Sequence, residues 1–230
     1  MARPFIVAID GPAGAGKSTV SRLLARRLGL SYVDTGALYR TVALAASREG
    51  IGAADDARLG ELIGRIRISF RAVGEENRVE LEGEDVSAAI RTPEISLAAS
   101  AVSARPVVRG GLLGLQRRLA LEAPAGAVLE GRDIGTVVFP DADLKFFLEA
   151  SSGIRARRRY EELFQKGAES SLDAVLADQT KRDRDDSSRA VAPLRPADDA
   201  IRVDTSELPL SEVVQRLERT IRERMAAPRG

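Results

Sequence analysis

Gly11-Pro12-Ala13-Gly14-Ala15-Gly16-Lys17-Ser18 matches the spacing G-x-x-x-x-G-K-[ST] in full, with Thr19 following. The chemistry served by that spacing is the grip on a triphosphate. Glycines let the backbone fold around phosphates, and successive N–H groups face the anion together with the positive end of a helix dipole. An ammonium at Lys17 reaches the β- and γ-phosphates, and a hydroxyl at Ser18 reaches the accompanying Mg²⁺. An ordinary glycine turn opening a helix needs neither the lysine nor the serine in those places. The pattern points to nucleoside triphosphate binding and leaves open what becomes of the nucleotide.

Three further groupings set arginine beside aspartate: Asp34-Thr35-Gly36-Ala37-Leu38-Tyr39-Arg40, Glu130-Gly131-Arg132-Asp133-Ile134-Gly135-Thr136, and Arg182-Asp183 with Asp186 and Arg189. Alone, each reads equally well as a surface ion pair of little energetic weight. Behind a phosphate loop, together, they read as the means to hold a second anion. Cysteine and histidine are both absent, which removes disulfide scaffolds, thiolate and imidazole zinc sites, cysteine nucleophiles and Ser-His-Asp triads. Four of the 35 basic residues are lysines (Lys17, Lys145, Lys166 and Lys181) and the rest are arginines. That bias suits bidentate contact with phosphate, although GC-rich codon usage would produce it too.

Regulatory GTPases, nucleic-acid ATPases and small-molecule kinases share such a loop. Thr180-Lys181-Arg182-Asp183 fits the T-K-x-D pattern of guanine recognition, but it lies within a charged helical run and no Asp is followed three places later by Gly. A formal net charge of +1 and an aromatic content of 4% leave neither a basic track nor a stacking platform for nucleic acid. A kinase for a small acceptor remains, with the acceptor undetermined by these residues alone. No apolar stretch approaches the roughly 20 residues of a membrane span, and the run Phe5 to Ile9 is too short for a signal segment. A cytoplasmic monomer without membrane or nucleic-acid partners is expected.

The elements that must position these groups follow from periodicity. Residues 4–9 form an apolar strand before the loop, and Val20, Leu23, Leu24 and Leu28 recur at helical spacing after it. Leu30 to Val33 reads as a strand, Ala37 to Arg48 as a helix, Ala127 to Leu129, Leu144 to Leu148 and Ile201 to Val203 as strands, and the last helix shows Val214, Leu217, Ile221 and Met225 on one face. Alternation of this kind predicts an α/β fold, a parallel sheet flanked by helices. Ile68, Phe70 and Ala72, then Val79 and Leu81, alternate with polar residues around Gly74-Glu75-Glu76-Asn77 and predict an antiparallel hairpin. We read a core over 1–62 and 104–230, an insertion at 63–103, and a charged helical lid at about 152–189 interrupted at Gly167; the end, Ala226 to Gly230, should fray.

The strings Ile9-Asp10-Gly11-Pro12-Ala13-Gly14, Asp34 to Arg40, Gly83-Glu84-Asp85-Val86, Ile90-Arg91-Thr92-Pro93-Glu94, Glu130 to Ala142 and Arg182 to Pro193 together resemble bacterial cytidylate kinases, a family of P-loop nucleoside monophosphate kinases. The resemblance implies a P-loop fold with a monophosphate-binding insertion and a lid, Mg²⁺ with ATP as donor, and CMP or dCMP as acceptor. Another nucleoside monophosphate such as UMP, or another small acceptor, is the alternative. It implies that Thr35 and Arg40 hold the acceptor, Arg40 and Arg132 on its phosphate, while Ser100, Arg109 and Asp133 read the cytosine. Arg182 and Asp186 would contact the ribose and Arg189 would help neutralise the acceptor. Arg155, Arg157 and Arg158, in a run extended by Arg159, would approach the transferring phosphoryl group. Gly153-Ile154 departs from the more polar helix start expected there and predicts a looser first turn of the lid.

Overall fold

The structure, a computed structural model, describes residues 3–73, 76–165 and 167–227. The hairpin tip at Gly74-Glu75, Lys166 and the terminal residues 228–230, expected to fray, lie outside the described residues. The chain divides into two compact units, Met1–Val33 with Leu119–Gly230, and Asp34–Arg118.

Strands β1 (Phe5–Asp10), β2 (Ser31–Asp34), β6 (Gly126–Gly131), β7 (Leu144–Glu149) and β8 (Ile201–Asp204) form a parallel sheet in the order β2-β6-β1-β7-β8. Every residue of β1 is buried, which is why that strand is written as an almost unbroken apolar run. Phe5, Val7 and Ile9 belong to a core shared with Phe146, Leu148 and Val203 of the neighbouring strands, Val20 and Leu24 of α1 (Lys17–Leu28), and Val213, Val214, Leu217 and Ile221 of α8 (Leu210–Ala226). Asp10 pairs in register with Gly131 on one side and Phe147 on the other, so the segments following β1 and β6 emerge side by side. That edge, at the carboxyl ends of parallel strands, is where such sheets take ligands. The segment expected to act as a lid contains α6 (Ser152–Gln165) and α7 (Leu172–Ser187), packed on one another.

In the second unit α2 (Thr35–Arg48) is capped by Asp34, whose side chain accepts the Ala37 N–H, and packs against α4 (Pro93–Ser103). Thr92 caps α4 and Pro93 opens it, a start signal that apolar periodicity alone does not announce. Helices α3 (Asp56–Arg65) and α5 (Pro106–Leu121) are likewise additions to the elements expected from periodicity. The hairpin is present as β3 (Ile68–Val73) and β4 (Glu76–Leu81), joined by the short β5 (Glu84–Asp85). Its core face pairs Ile68 with Leu81 and Phe70 with Val79; Arg71 and Ser69 on the opposite face reach Glu80.

One expectation fails at the end of α8: Val214, Leu217 and Ile221 are buried, but Met225 is 41% exposed. A helix of 17 residues runs about 25 Å at 1.5 Å per residue, well beyond the reach of a four-residue strand. Leu217→Ala should therefore cost about 2–5 kcal/mol, and Met225→Ala less than about 1 kcal/mol. Urea unfolding of the two variants checks the contrast; equal losses would contradict this placement of the core.

Candidate active site

The phosphate loop begins where β1 ends and is held closely from behind. Gly11 has φ +147°, and a Cβ there would lie 2.0 Å from the Leu148 carbonyl oxygen; Gly14 has φ +77°, and its Cβ would lie 3.0 Å from the Arg155 Cβ and 3.1 Å from the Gln179 Nε2. Pro12 and Ala13 are half-buried, Ala15 is fully buried, and the Ala13 and Ala15 carbonyls accept from Arg155 Nη1 (3.1 Å) and Thr205 Oγ1 (3.2 Å). Gly16 occupies the N-cap of α1 and has no side chain to satisfy the first-turn N–H groups around Ser18 and Thr19. Those donors are the ones a phosphate would meet.

Lys17 is buried, with Nζ donating to the Pro12 carbonyl at 2.7 Å. Burial, and then the nearby Arg132 charge, push its pKa down to about 7 against the opposing pull of Glu130, Asp10 and Asp186. The three carboxylates do not offset that burial, and a polyanion beside Lys17 would favour its charged form. Exposed Ser18 donates from Oγ to Glu130 Oε2 at 2.9 Å, and the Tyr32 hydroxyl hydrogen-bonds Glu130 Oε1. Asp10 accepts the N–H groups of Ile134 (2.8 Å) and Gly135 (2.7 Å). It thereby fixes the segment carrying Arg132 and buried Asp133, which continues into a π-helical turn at Ile134–Val138.

Arg132 donates from Nε to Asp186 Oδ2 at 2.8 Å, and Arg189 pairs with the other oxygen of the same carboxylate. Asp186 is 4% exposed. Burial pushes its pKa up, but Arg132 and Arg189 outweigh that and hold it below the ordinary range. Half-buried Arg182 adds its charge nearby. Arg155 is buried and pairs with Asp183 at 2.6 Å, while Gln179 Nε2 donates to the Arg155 carbonyl. Arg158 donates to Thr205 Oγ1 (3.2 Å) and to the Thr205 carbonyl (2.5 Å), tying the start of α6 to the residue that braces Ala15. Exposed Arg157 has no hydrogen-bond or ion-pair partner among the described residues, and Arg159 pairs with Glu162. Ser151 supplies the start of α6 that Gly153-Ile154 lacks: its Oγ accepts the Ile154 N–H and its carbonyl accepts the Arg155 N–H.

The second unit holds the other expected residues. Thr35 is buried in the first turn of α2, and Arg40 pairs with the capping Asp34 at 2.9 Å with its Nε buried and unbonded. Arg109 is 8% exposed, lies over the Tyr39 ring at 5.4 Å and donates to the Ser103 carbonyl; Ser103 Oγ in turn donates to the carbonyl of half-buried Ser100. Ser103 thus links Ser100 to Arg109.

The family model described as cytidylate kinase matches residues 7–223. This chain belongs to the cytidylate kinase family. It is 57% identical over 228 residues to the cytidylate kinase of Geobacter sulfurreducens (strain ATCC 51573 / DSM 12127 / PCA), covering 99% of this chain and 97% of the relative. It is 48% identical over 229 residues to that of Mycolicibacterium paratuberculosis (strain ATCC BAA-968 / K-10), covering 100% of each. Among solved structures, an uncharacterized protein from Eubacterium ventriosum ATCC 27560 aligns with a TM-score of 0.51 at 11% identity over 97% of this chain and 99% of the other, a likeness of fold.

Within this cytidylate kinase framework, Asp10, Glu130 and Asp183 stand inside the sequence motifs, which assign them no role. Gln179 and Tyr32 carry no signal in the sequence. What distinguishes them is contact beyond local sequence, with Glu130 meeting a serine 112 residues away and Asp10 accepting a backbone N–H 124 residues away. Asp10 gives a test of this placement. Burial, against its two N–H partners, raises its pKa to about 6 from 3.8. Folding therefore favours the protonated form, and this contribution to stability is complete below about pH 4 and lost as pH rises through about 6. At about 1.4 kcal/mol per pKa unit, the stability of the wild-type protein relative to Asp10→Asn should fall by roughly 2 kcal/mol between pH 4 and pH 7. Urea unfolding at the two pH values measures it; a constant difference would place Asp10 in water.

Proposed function

We propose that this chain transfers the terminal phosphoryl group of ATP to CMP or dCMP, giving ADP and CDP or dCDP. The observation that carries the reading is family membership across residues 7–223 in a chain that keeps the phosphate loop complete through Lys17 and Ser18. The loop from Gly11 to Thr19 would cradle the ATP phosphates on its backbone N–H groups. Lys17 would exchange the Pro12 carbonyl for the β- and γ-phosphate oxygens.

The Ser18 hydroxyl, with the buried Glu130 carboxylate behind it, suits a hard cation with oxygen ligands. Among the described residues no three acidic side chains gather as a cation cage, which fits an ion held chiefly by nucleotide phosphates. We assign the Mg²⁺ to Ser18, where it would neutralise charge between the β- and γ-phosphates.

For the acceptor we assign Thr35, Arg40, Arg132 and Arg189 to the phosphate, Ser100, Arg109 and Asp133 to the base, and Arg182 and Asp186 to the ribose. Asp133 offers a carboxylate to the exocyclic amine of cytosine, which uracil lacks. Arg155 and Arg157 are assigned to the transferring group. Arg158, which donates to Thr205, would need to leave that carbonyl to join them. The acceptor's second pKa is about 6, so it is largely dianionic at neutral pH and needs no base to become a nucleophile. A chain with no histidine therefore suffices. The task left to the protein is to align two anions and offset their repulsion.

ADP release coupled to an indicator reaction tests this over CMP, dCMP, UMP and AMP. CMP and dCMP should drive turnover well above the rate with ATP alone, and Lys17→Ala should lower it at least about 10²-fold, as expected for loss of a charge-assisted contact in a desolvated site. Release that ignores every monophosphate, or near-normal turnover in the variant, would contradict the proposal.

A further inference from the structure

Thr205 directly follows β8 and is 3% exposed. Its N–H donates at 2.8 Å to the carbonyl of Glu149, the last residue of β7, so its backbone is pinned to the sheet. Its hydroxyl meets three groups of the same unit. Arg158 Nη1 donates to Oγ1 at 3.2 Å, and the carbonyl oxygens of Ala15 and Glu149 each lie 3.2 Å from it. A threonine hydroxyl has one proton and two lone pairs. Arg158 takes a lone pair, and the Glu149 carbonyl already receives the Thr205 N–H, so the proton is best used on the carbonyl of fully buried Ala15.

The Ala15 carbonyl shares a planar trans peptide with the Gly16 N–H, and the two point in opposite directions. Gly16, at φ +85°, has no Cβ to restrain rotation of that plane, and its own carbonyl is committed to the Val20 N–H at 3.0 Å. Whatever holds the Ala15 carbonyl therefore sets the direction of the Gly16 N–H. We infer that Thr205 is a positioning residue for the phosphate loop: its hydroxyl draws the Ala15 carbonyl back toward the sheet and so keeps the Gly16 N–H aimed at the phosphates. The inference rests on the reading of the loop as the cradle for ATP phosphates, and it requires no contact between Thr205 and the nucleotide. The competing explanation is a tie between the ends of β7 and β8, which would change stability and leave phosphate affinity alone.

Binding measured without any acceptor separates the two. Displacement of a fluorescent ATP analogue gives the affinities of ATP and of inorganic tripolyphosphate for the wild-type chain, Thr205→Val, Thr205→Ser, Arg158→Ala and the double variant Thr205→Val/Arg158→Ala. Thr205→Val keeps the shape and the backbone N–H, and it should weaken both ligands about tenfold, the lower end of what one hydrogen bond to a charged group is worth. Thr205→Ser keeps the hydroxyl and should bind both within about twofold of the wild-type chain. Removing Arg158 as well should leave the effect of Thr205→Val undiminished, since that effect runs through Ala15. Unchanged affinity in Thr205→Val, or an equal loss in Thr205→Ser, overturns the inference. So does a loss confined to ATP, which would put Thr205 at the nucleoside, or one that vanishes in the Arg158→Ala background. Should Thr205→Val fail to fold, Thr205→Ala takes its place with the same expected loss. A wild-type chain that binds neither ATP nor tripolyphosphate would instead remove the reading of the phosphate loop, and this inference with it.

Discussion

Cations brought close together repel one another, and the chain must hold them together all the same. It does so with built-in acceptors. Asp186 takes Arg132 and Arg189 on its two oxygens, Asp183 takes Arg155, and the Pro12 carbonyl takes Lys17. In the other unit Asp34 does the same for Arg40. Breaking a buried pair without replacement costs about 3–5 kcal/mol, so these arginines change partner readily only when another anion is offered. Lys17 donates to the Pro12 carbonyl and to no acidic side chain, and burial, and then the nearby Arg132 charge, lower its pKa to about 7.

The fold serves this constraint by making one edge of a sheet rigid. β1 is buried along its whole length, and its pairing with β6 and β7 sets the phosphate loop beside the Glu130-to-Gly135 segment. Asp10 then ties that segment down through two backbone N–H groups. Thr205, at the end of the next strand but one, braces Ala15 from behind and receives Arg158. α6 is thereby attached at its start to the phosphate loop, through Arg155 on Ala13 as well.

What was legible in the sequence is what local chemistry writes locally. The phosphate loop, the five strands, the hairpin and the helices α1, α2 and α8 all carry their own periodicity or motif. Helix α5 did not, because Gly110, Gly111 and Gly114 dilute its helical signal. Its Gly111 is small for a reason visible only in three dimensions: a Cβ there would lie 2.4 Å from the Ile63 Cγ2. The π-helical turn after Asp133 also escaped, since the carboxylate that fixes its start belongs to another strand. The roles of Glu130, Asp183 and Asp186 as counter-ions depend on partners that the chain supplies from other elements, where one sequence offers no spacing rule. Met225 shows the opposite case: its spacing fits the apolar face of α8, but it is exposed at the end of the helix.

The central claim is that this chain holds a nucleoside triphosphate and a pyrimidine monophosphate at once, end to end, with its own cations between them. A single molecule in which adenosine and cytidine are joined through five phosphates measures this directly. Both binding costs are met once in such a molecule, so its affinity should exceed that of magnesium ATP or CMP alone by at least about 10². Affinity no greater than that of ATP would mean that the two anions do not share one aligned site, and would contradict the claim.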